Sequence, residues 1–197
     1  MSSDKQNLLQ RDRLAAIQQL RERMVSATSM QAATGMPGTE SAPTVVGEQY
    51  LVFSIENFEF AVKAGQVQGV ERLGELTPVP NVAAWVKGVM NLRGSIISVV
   101  DLRQFLELGI SSPTARTRLL SLQENDMVIS FIVDSVSEML PVPDTAILNG
   151  NMRQATLPHW AAPYAAGCAL LSNRVLVLLD VARLLFSEKM QRYEAIG

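Results

Sequence analysis

The sequence predicts an all-β domain with short terminal helices, assembled from two similar units that close as a pair of small barrels. Three observations carry this expectation. Short β-branched runs separated by turn residues recur from Gln49 onward, a long stretch of chain echoes itself at a fixed offset, and a strand-Asp-helix passage occurs twice, at Asp101 and Asp180.

Before Gln49 the pattern is different. Leu14, Ile17, Leu20 and Met24 recur at spacings of three or four among Arg11, Arg13, Arg21, Glu22 and Arg23, a narrow amphipathic helical stripe. Isolated helices of this length are weak in water, so the segment reads either as a docking helix or as a frayed arm. Residues 26–47 are mostly Ser, Thr, Ala, Gly and Pro, a composition too poor in bulky side chains to order itself, and read as a linker. The expected division is therefore an arm and linker over 1–47 and a folded domain over 48–197.

The domain opens with a hairpin, strands 50–55 and 58–62 alternating around Glu56 and Asn57. Further strands are expected at 67–70, 88–92, 95–100, 118–123, 127–133 and 174–179. Asp101 and Asp180 each follow a strand and precede an apolar periodic run, where a carboxylate caps free helix amides.

A shift of 79 residues lays Trp85 on Tyr164, Gly88 on Gly167, Ile96 on Val175, Asp101 on Asp180 and Leu106 on Leu185. Upstream, the halves share a Glu-Asn turn (Glu56-Asn57, Glu124-Asn125) and a Pro-Val-Pro passage (Pro78 to Pro80, Pro141 to Pro143). Units of about 65 to 80 residues are small for independent folding, so they should share a core. Closing the edges of antiparallel strands favours barrels over open sheets, with a groove between them. The second unit carries roughly 16 extra residues after its Pro-Val-Pro, within 144–163, expected as a surface loop.

Composition removes several function classes. Lys and Arg number 17 against 19 Asp and Glu, and residues 48–197 hold 12 basic against 15 acidic side chains, so neither nucleic acid nor anionic lipid is expected as a partner. No apolar run approaches the ~20 residues of a membrane span, and Cys168 is the single cysteine, which together predict a reducing, cytoplasmic setting without membrane insertion. His159 is the only histidine, with no Cys or His at ligand spacing, which removes imidazole-thiolate metal sites; as the base of acyl transfer it would need a serine in a nucleophile-elbow context such as G-x-S-x-G, and none is present. Gly65 and Gly69 lack the third glycine or the Lys-Ser pair of a phosphate loop. Asp101, Asp134 and Asp180 are explained by caps and turns. No catalytic residue, metal or cofactor is expected, and an enzyme is the remote alternative.

Residues 88–103, GVMNLRGSIISVVDLR, closely resemble the signature of the CheW family of chemotaxis coupling proteins, with support from YLVF at 50–53, IVDSVSE at 132–138 and VLVLLD at 175–180. The resemblance covers about residues 48–190. It implies two intertwined five-stranded β-barrels with a receptor-binding groove between them, and contact with the regulatory domain of a CheA-type histidine kinase and the cytoplasmic hairpin tip of chemoreceptors. The function so implied is an adaptor coupling receptors to the kinase; the alternative is a CheW-like docking or regulatory subunit of a type IV pilus or phototaxis pathway, with residues 8–25 binding a separate partner.

The binding residues expected on this resemblance are Val67, Val70, Glu71, Gly88, Asn91, Arg93, Gly94 and Val136. Asn91 to Gly94 reads as a tight turn with Arg93 projecting. In the family this arginine is thought to pair with the acid of a Val-x-Glu-Ile pattern. Here the matching run is Val67-Gln68-Gly69-Val70, without that acid, and Glu71 on the same strand face is the expected substitute in an Arg93 to Glu71 contact. Ser98 stands where the family commonly has proline.

Overall fold

Side-chain alternation begins where the linker composition ends. The computed structural model describes residues 47–148, 156–171 and 174–193, so the arm and linker expected over 1–47 lie almost wholly outside them. Strand β1 (Glu48–Ile55) returns as β2 (Phe58–Lys63), with Ile55 opposite Phe58 and Glu56 taking the left-handed φ of 55° that opens the turn. In the second half, β6 (Arg118–Glu124) returns as β7 (Met127–Val133) with Glu124 opposite Met127. The second turn is therefore Asn125-Asp126, one residue beyond the expected Glu124-Asn125, and Asn125 takes the equivalent φ of 52°. The hairpins superpose at an offset of 69, Glu56 on Asn125 and Ile55 on Glu124.

The later strands keep the offset of 79. Strand β4 (Val86–Leu92) matches β9 (Ala165–Leu171), and β5 (Ser95–Asp101) matches β10 (Arg174–Leu179). Even the register shift recurs: Val86 and Gly88 oppose Val100 and Val99, as Ala165 and Gly167 oppose Leu179 and Leu178. Asp101 accepts from the Gln104 amide (3.1 Å) to start α1 (Leu102–Phe105), and Asp180 accepts from the Arg183 amide (3.0 Å) to start α2 (Val181–Leu185). The Asp101 and Asp180 amides donate to the carbonyls of Trp85 and Tyr164, both at 2.8 Å. A last helix, α3 (Glu188–Gln191), follows.

The halves do not each form a barrel. One sheet runs β8-β1-β2-β10-β9 and the other β3-β6-β7-β5-β4, where β3 is Val67–Arg72 and β8 is Ser135–Val142. Each five-stranded barrel thus takes its hairpin from one half and three strands from the other, the intertwined arrangement. We call the first barrel A and the second barrel B. The sequence suggested antiparallel strands throughout, yet β10 pairs with β2 and β5 with β7 in parallel, because the exchanged hairpin meets a strand to which no short loop joins it. Closure comes from the chain beyond each edge: Thr77 bridges Val89 in B, and Ile147 bridges Ala169 in A.

Strands β8 and β9 were not expected from the sequence. β8 carries Pro141 near its end, tolerated because β8 is an edge strand, and β9 (AAGCALL) lacks β-branched residues altogether. The extra segment also departs from a plain surface loop. Its last part packs Leu157 and Trp160 against the core, with Trp160 edge-on to Phe58 at 4.8 Å between ring centroids. His159 beside it is exposed.

One apolar cluster spans both barrels. Phe53, Phe60 and Leu179 from A meet Leu120, Phe131, Phe105 and Val100 from B, and Trp85 and Tyr164 both pack on Phe105 with centroids 5.2 Å away. The opposite face of barrel A gathers a second cluster, including Tyr50, Val52, Ala61 and Leu176. At the matching place in barrel B the cross-strand pair Val52 and Ala61 is replaced by Ser121 and Ser130, whose buried hydroxyls bond each other at 2.7 Å. Ser130→Ala should leave the Ser121 hydroxyl unpaired and cost about 1–2 kcal/mol. Urea denaturation should show most of that loss recovered when Ser121→Val is added, which copies barrel A.

Candidate functional site

The β4–β5 hairpin is fixed by its own chemistry. Arg93 (φ 52°) and Gly94 (φ 91°) take consecutive left-handed conformations, the two-residue turn that matches strand twist, and the Asn91 side-chain oxygen accepts from the Gly94 amide at 2.8 Å. Asn91 and Gly94 build the bend; Arg93 is exposed at its tip.

Barrel closure brings this tip to β3 at the opposite edge. The Nη2 of Arg93 lies 3.7 Å from where a Cβ on Gly69 would stand. The expected contact with Glu71 is not formed: among the described residues Arg93 has no ion pair within 4.0 Å and no hydrogen bond, and Glu71 stands half-buried two positions further along the same face of β3. The β3 ladder has a register shift between Val67 and Gly69, repeated in β8, so Val67 matches Val136, Gly69 matches Glu138 and Val70 matches Met139.

The other expected residues separate into surface and support. Val70 is 39 % exposed, and its counterpart Met139 is 58 % exposed. Val67 and Val136 are half-buried against the shared core, on edge strands of different barrels, so they meet the core from two sides. Gly88 is buried; its φ of 134° and a Cβ position only 2.2 Å from the Thr77 carbonyl oxygen make it a structural requirement of the barrel wall. Ile96, 77 % exposed and opposite Asn91, belongs to the same hairpin surface and was not singled out from the sequence. The alternation of Ile96 with buried Ile97 was the signal that could have found it.

A charged cluster joins the barrels. Arg103 of α1 donates to Glu56 in the β1–β2 turn (2.8 Å) and to Asp134 (2.5 Å) at the crossover from β7 into β8, and the same Asp134 oxygen accepts from the Glu56 amide at 2.7 Å. Asp134 thus has a turn and pairing role. Arg103, Lys87, Gln104, Asp134 and Ile110 also line a cleft of about 410 Å³ against barrel B, which none of the eight expected binding residues borders. Among the described residues no group of three or more His, Cys, Asp or Glu is arranged to hold a metal ion. No helix among them is long and apolar enough to cross a membrane.

Arg103→Met should cost about 2–4 kcal/mol, since two partly buried carboxylates lose their common cation, and thermal unfolding of the chain checks it. Gly88→Ala should cost about 3 kcal/mol or more through the clash with Thr77. Its effect on partner binding should follow the folded fraction measured by circular dichroism.

The CheW-like domain family model matches residues 49–189. Chemotaxis protein CheW of Klebsiella aerogenes is 33 % identical over 150 residues, 76 % of this chain and 88 % of that protein. Protein PilI of Pseudomonas aeruginosa is 32 % identical over 111 residues, 56 % of this chain and 61 % of that protein. The crystal structure of scaffolding protein TtCheW from Thermoanaerobacter tengcongensis superposes with a TM-score of 0.65 at 20 % identity, covering 73 % of this chain and 96 % of that one, and has the same fold. The repeat, the exchanged barrels, the Arg93-Gly94 hairpin and these likenesses agree, and the chain belongs to the CheW-like domain family.

Proposed function

We propose that the chain is a cytoplasmic adaptor of chemotaxis-type signalling, joining the cytoplasmic hairpin tip of chemoreceptors to the regulatory domain of a CheA-type histidine kinase, without catalysis or cofactor. Family membership over 49–189, a span that includes both barrels, is the observation that carries this reading. The physical arrangement suits it. The rigid β4–β5 hairpin carries exposed Asn91, Arg93, Gly94 and Ile96, and exposed Val70 and half-buried Glu71 lie on the neighbouring β3 edge, a small surface of mixed apolar and charged side chains. Val67 packs on the core beneath that surface, Val136 meets the same core from barrel A, and Gly88 holds the wall behind the hairpin. Such a surface gives modest single contacts, which repetition in an array strengthens by multivalency.

On this reading residues 48–197 are the adaptor domain and 1–47 an arm available for a separate contact. The likeness to Protein PilI favours keeping a second reading, in which the same adaptor serves a type IV pilus or phototaxis pathway. Capture from purified components tests both. The chain should retain a chemotaxis kinase's regulatory domain and a chemoreceptor cytoplasmic fragment, and Val70→Asp should lose at least one of them at an unchanged melting temperature. Capture of neither by the wild-type chain overturns the adaptor proposal, and preference for a pilus-pathway kinase decides for the second reading.

A further inference from the structure

We propose that residues 187–193 are a C-terminal strap. It opens as a unit of its own, without unfolding of the barrels, and while closed it ties together two of the chain segments that line the cleft at barrel B. A helix of four residues cannot hold itself in water, so α3 stands only on what fastens it. Ser187 caps it, the side-chain oxygen accepting from the Met190 amide at 3.2 Å, and Met190 is the one buried residue of the helix, seated in the cluster shared by the barrels. Lys189 supplies the rest. Its ammonium donates to the Phe105 carbonyl at 2.6 Å and lies 5.1 Å from the centroid of the Phe105 ring. Its ion pair with Glu107 spans 2.7 Å, but the Glu107 side chain is 80 % exposed, and a pair so open to solvent holds little. Beyond the helix, the Tyr193 carbonyl accepts from the Ala83 amide at 2.7 Å.

The strap therefore grips two points that are distant in the chain, and each leads into the cleft. Phe105 ends α1, and the chain leaving it through Glu107 (φ 60°) and Gly109 (φ 93°) supplies Ile110 and Ser112 to the lining. Ala83 accepts from the Val86 amide at 2.8 Å in the turn that enters β4, whose Lys87 lines the same cleft. Lys87 carries the tie across, donating to Gln104 of α1 at 2.9 Å, so motion released at the strap reaches both segments. Opening costs Met190 its burial, Lys189 its contacts and Tyr193 its bond, whereas β7 is paired along both sides, to β6 and to β5. A segment fastened at so few points opens at a free energy well below that of global unfolding. Met190 and Tyr193 lie beyond the residues 49–189 that the family model matches, so the strap extends past the shared domain. By linkage, any ligand that holds the two segments together also favours the closed strap, and loss of the strap weakens that ligand.

Amide hydrogen exchange of the full chain, resolved by residue and repeated across low urea concentrations, tests this. Three amides report on the strap and its two holds: Gln191, bonded to the Ser187 carbonyl; Ala83, bonded to Tyr193; and Glu107, bonded to the Gln104 carbonyl at 3.0 Å. Their exchange should be nearly independent of urea, because little surface is exposed on opening, while amides of β7 should accelerate steeply with urea as they follow global unfolding. Lys189→Met keeps the apolar stem and removes the donor to Phe105, and should accelerate all three reporters together, about tenfold or more. Reporters that share the urea dependence of β7 make the C-terminus part of the global unit and overturn the strap. Acceleration by Lys189→Met that spares Ala83 or Glu107 overturns its tie to the cleft.

Discussion

Exchange of the two hairpins between halves is the constraint on which the rest of this fold depends. Phe53 and Phe60 stack at 5.4 Å in barrel A and face the same cluster as Phe131 and Phe105 of barrel B, so neither half can bury its apolar strands alone. β1 is buried on both faces, with Leu51, Phe53 and Ile55 toward the shared core and Tyr50 and Val52 on the other side. Large apolar side chains of this kind each contribute ~1.5–3 kcal/mol on full burial, and here the contribution is common to both barrels. The two crossovers, Gln66 bonded to Glu124 at 2.7 Å and Asp134 bonded to Glu56 and Arg103, set the hairpins into the opposite sheets.

Duplication fixes the backbone more tightly than it fixes the side chains. The bulges in β3 and β8, the caps at Asp101 and Asp180 and the shifted registers at Gly88 and Gly167 repeat because each answers a local geometric demand of closing a small barrel. Where no such demand exists the halves diverge. Barrel A is lined by Val52 and Ala61 where barrel B has Ser121 and Ser130, and the β9–β10 hairpin of barrel A carries Arg174 paired with Glu59 and Glu138 where the β4–β5 hairpin of barrel B carries Arg93 beside Gly69. Two barrels of one design thereby present unlike surfaces, as a protein that joins different partners requires.

The function so read needs stiffness at its contacts. A hairpin whose bend is set by backbone dihedrals and an Asn91 bond presents Arg93 with little freedom to lose. Gly88 serves the same end from behind: its lack of a Cβ lets the wall close on Thr77. The C-terminal helix adds a clasp, with Lys189 donating to the Phe105 carbonyl at 2.6 Å and pairing with Glu107, whose carboxyl it holds below the usual range.

The sequence by itself determined what is local: strand periodicity, the caps at Asp101 and Asp180, the Asn91-to-Gly94 turn, and a repeat legible because equivalent backbone positions demand equivalent residues. Period two also carried the signal that Ile96 faces outward, although Ile96 was not singled out from it. Only the tertiary structure decided which hairpin enters which sheet, because alternation states that a face is buried and not against what. It also made β8 and β9 strands, through pairing that Pro141 and a run of Ala, Gly and Cys do not announce. The same holds for Arg103, Glu56 and Asp134, and for Arg93 lying over Gly69 without reaching Glu71: these residues are far apart in the chain, and barrel closure alone sets their distances.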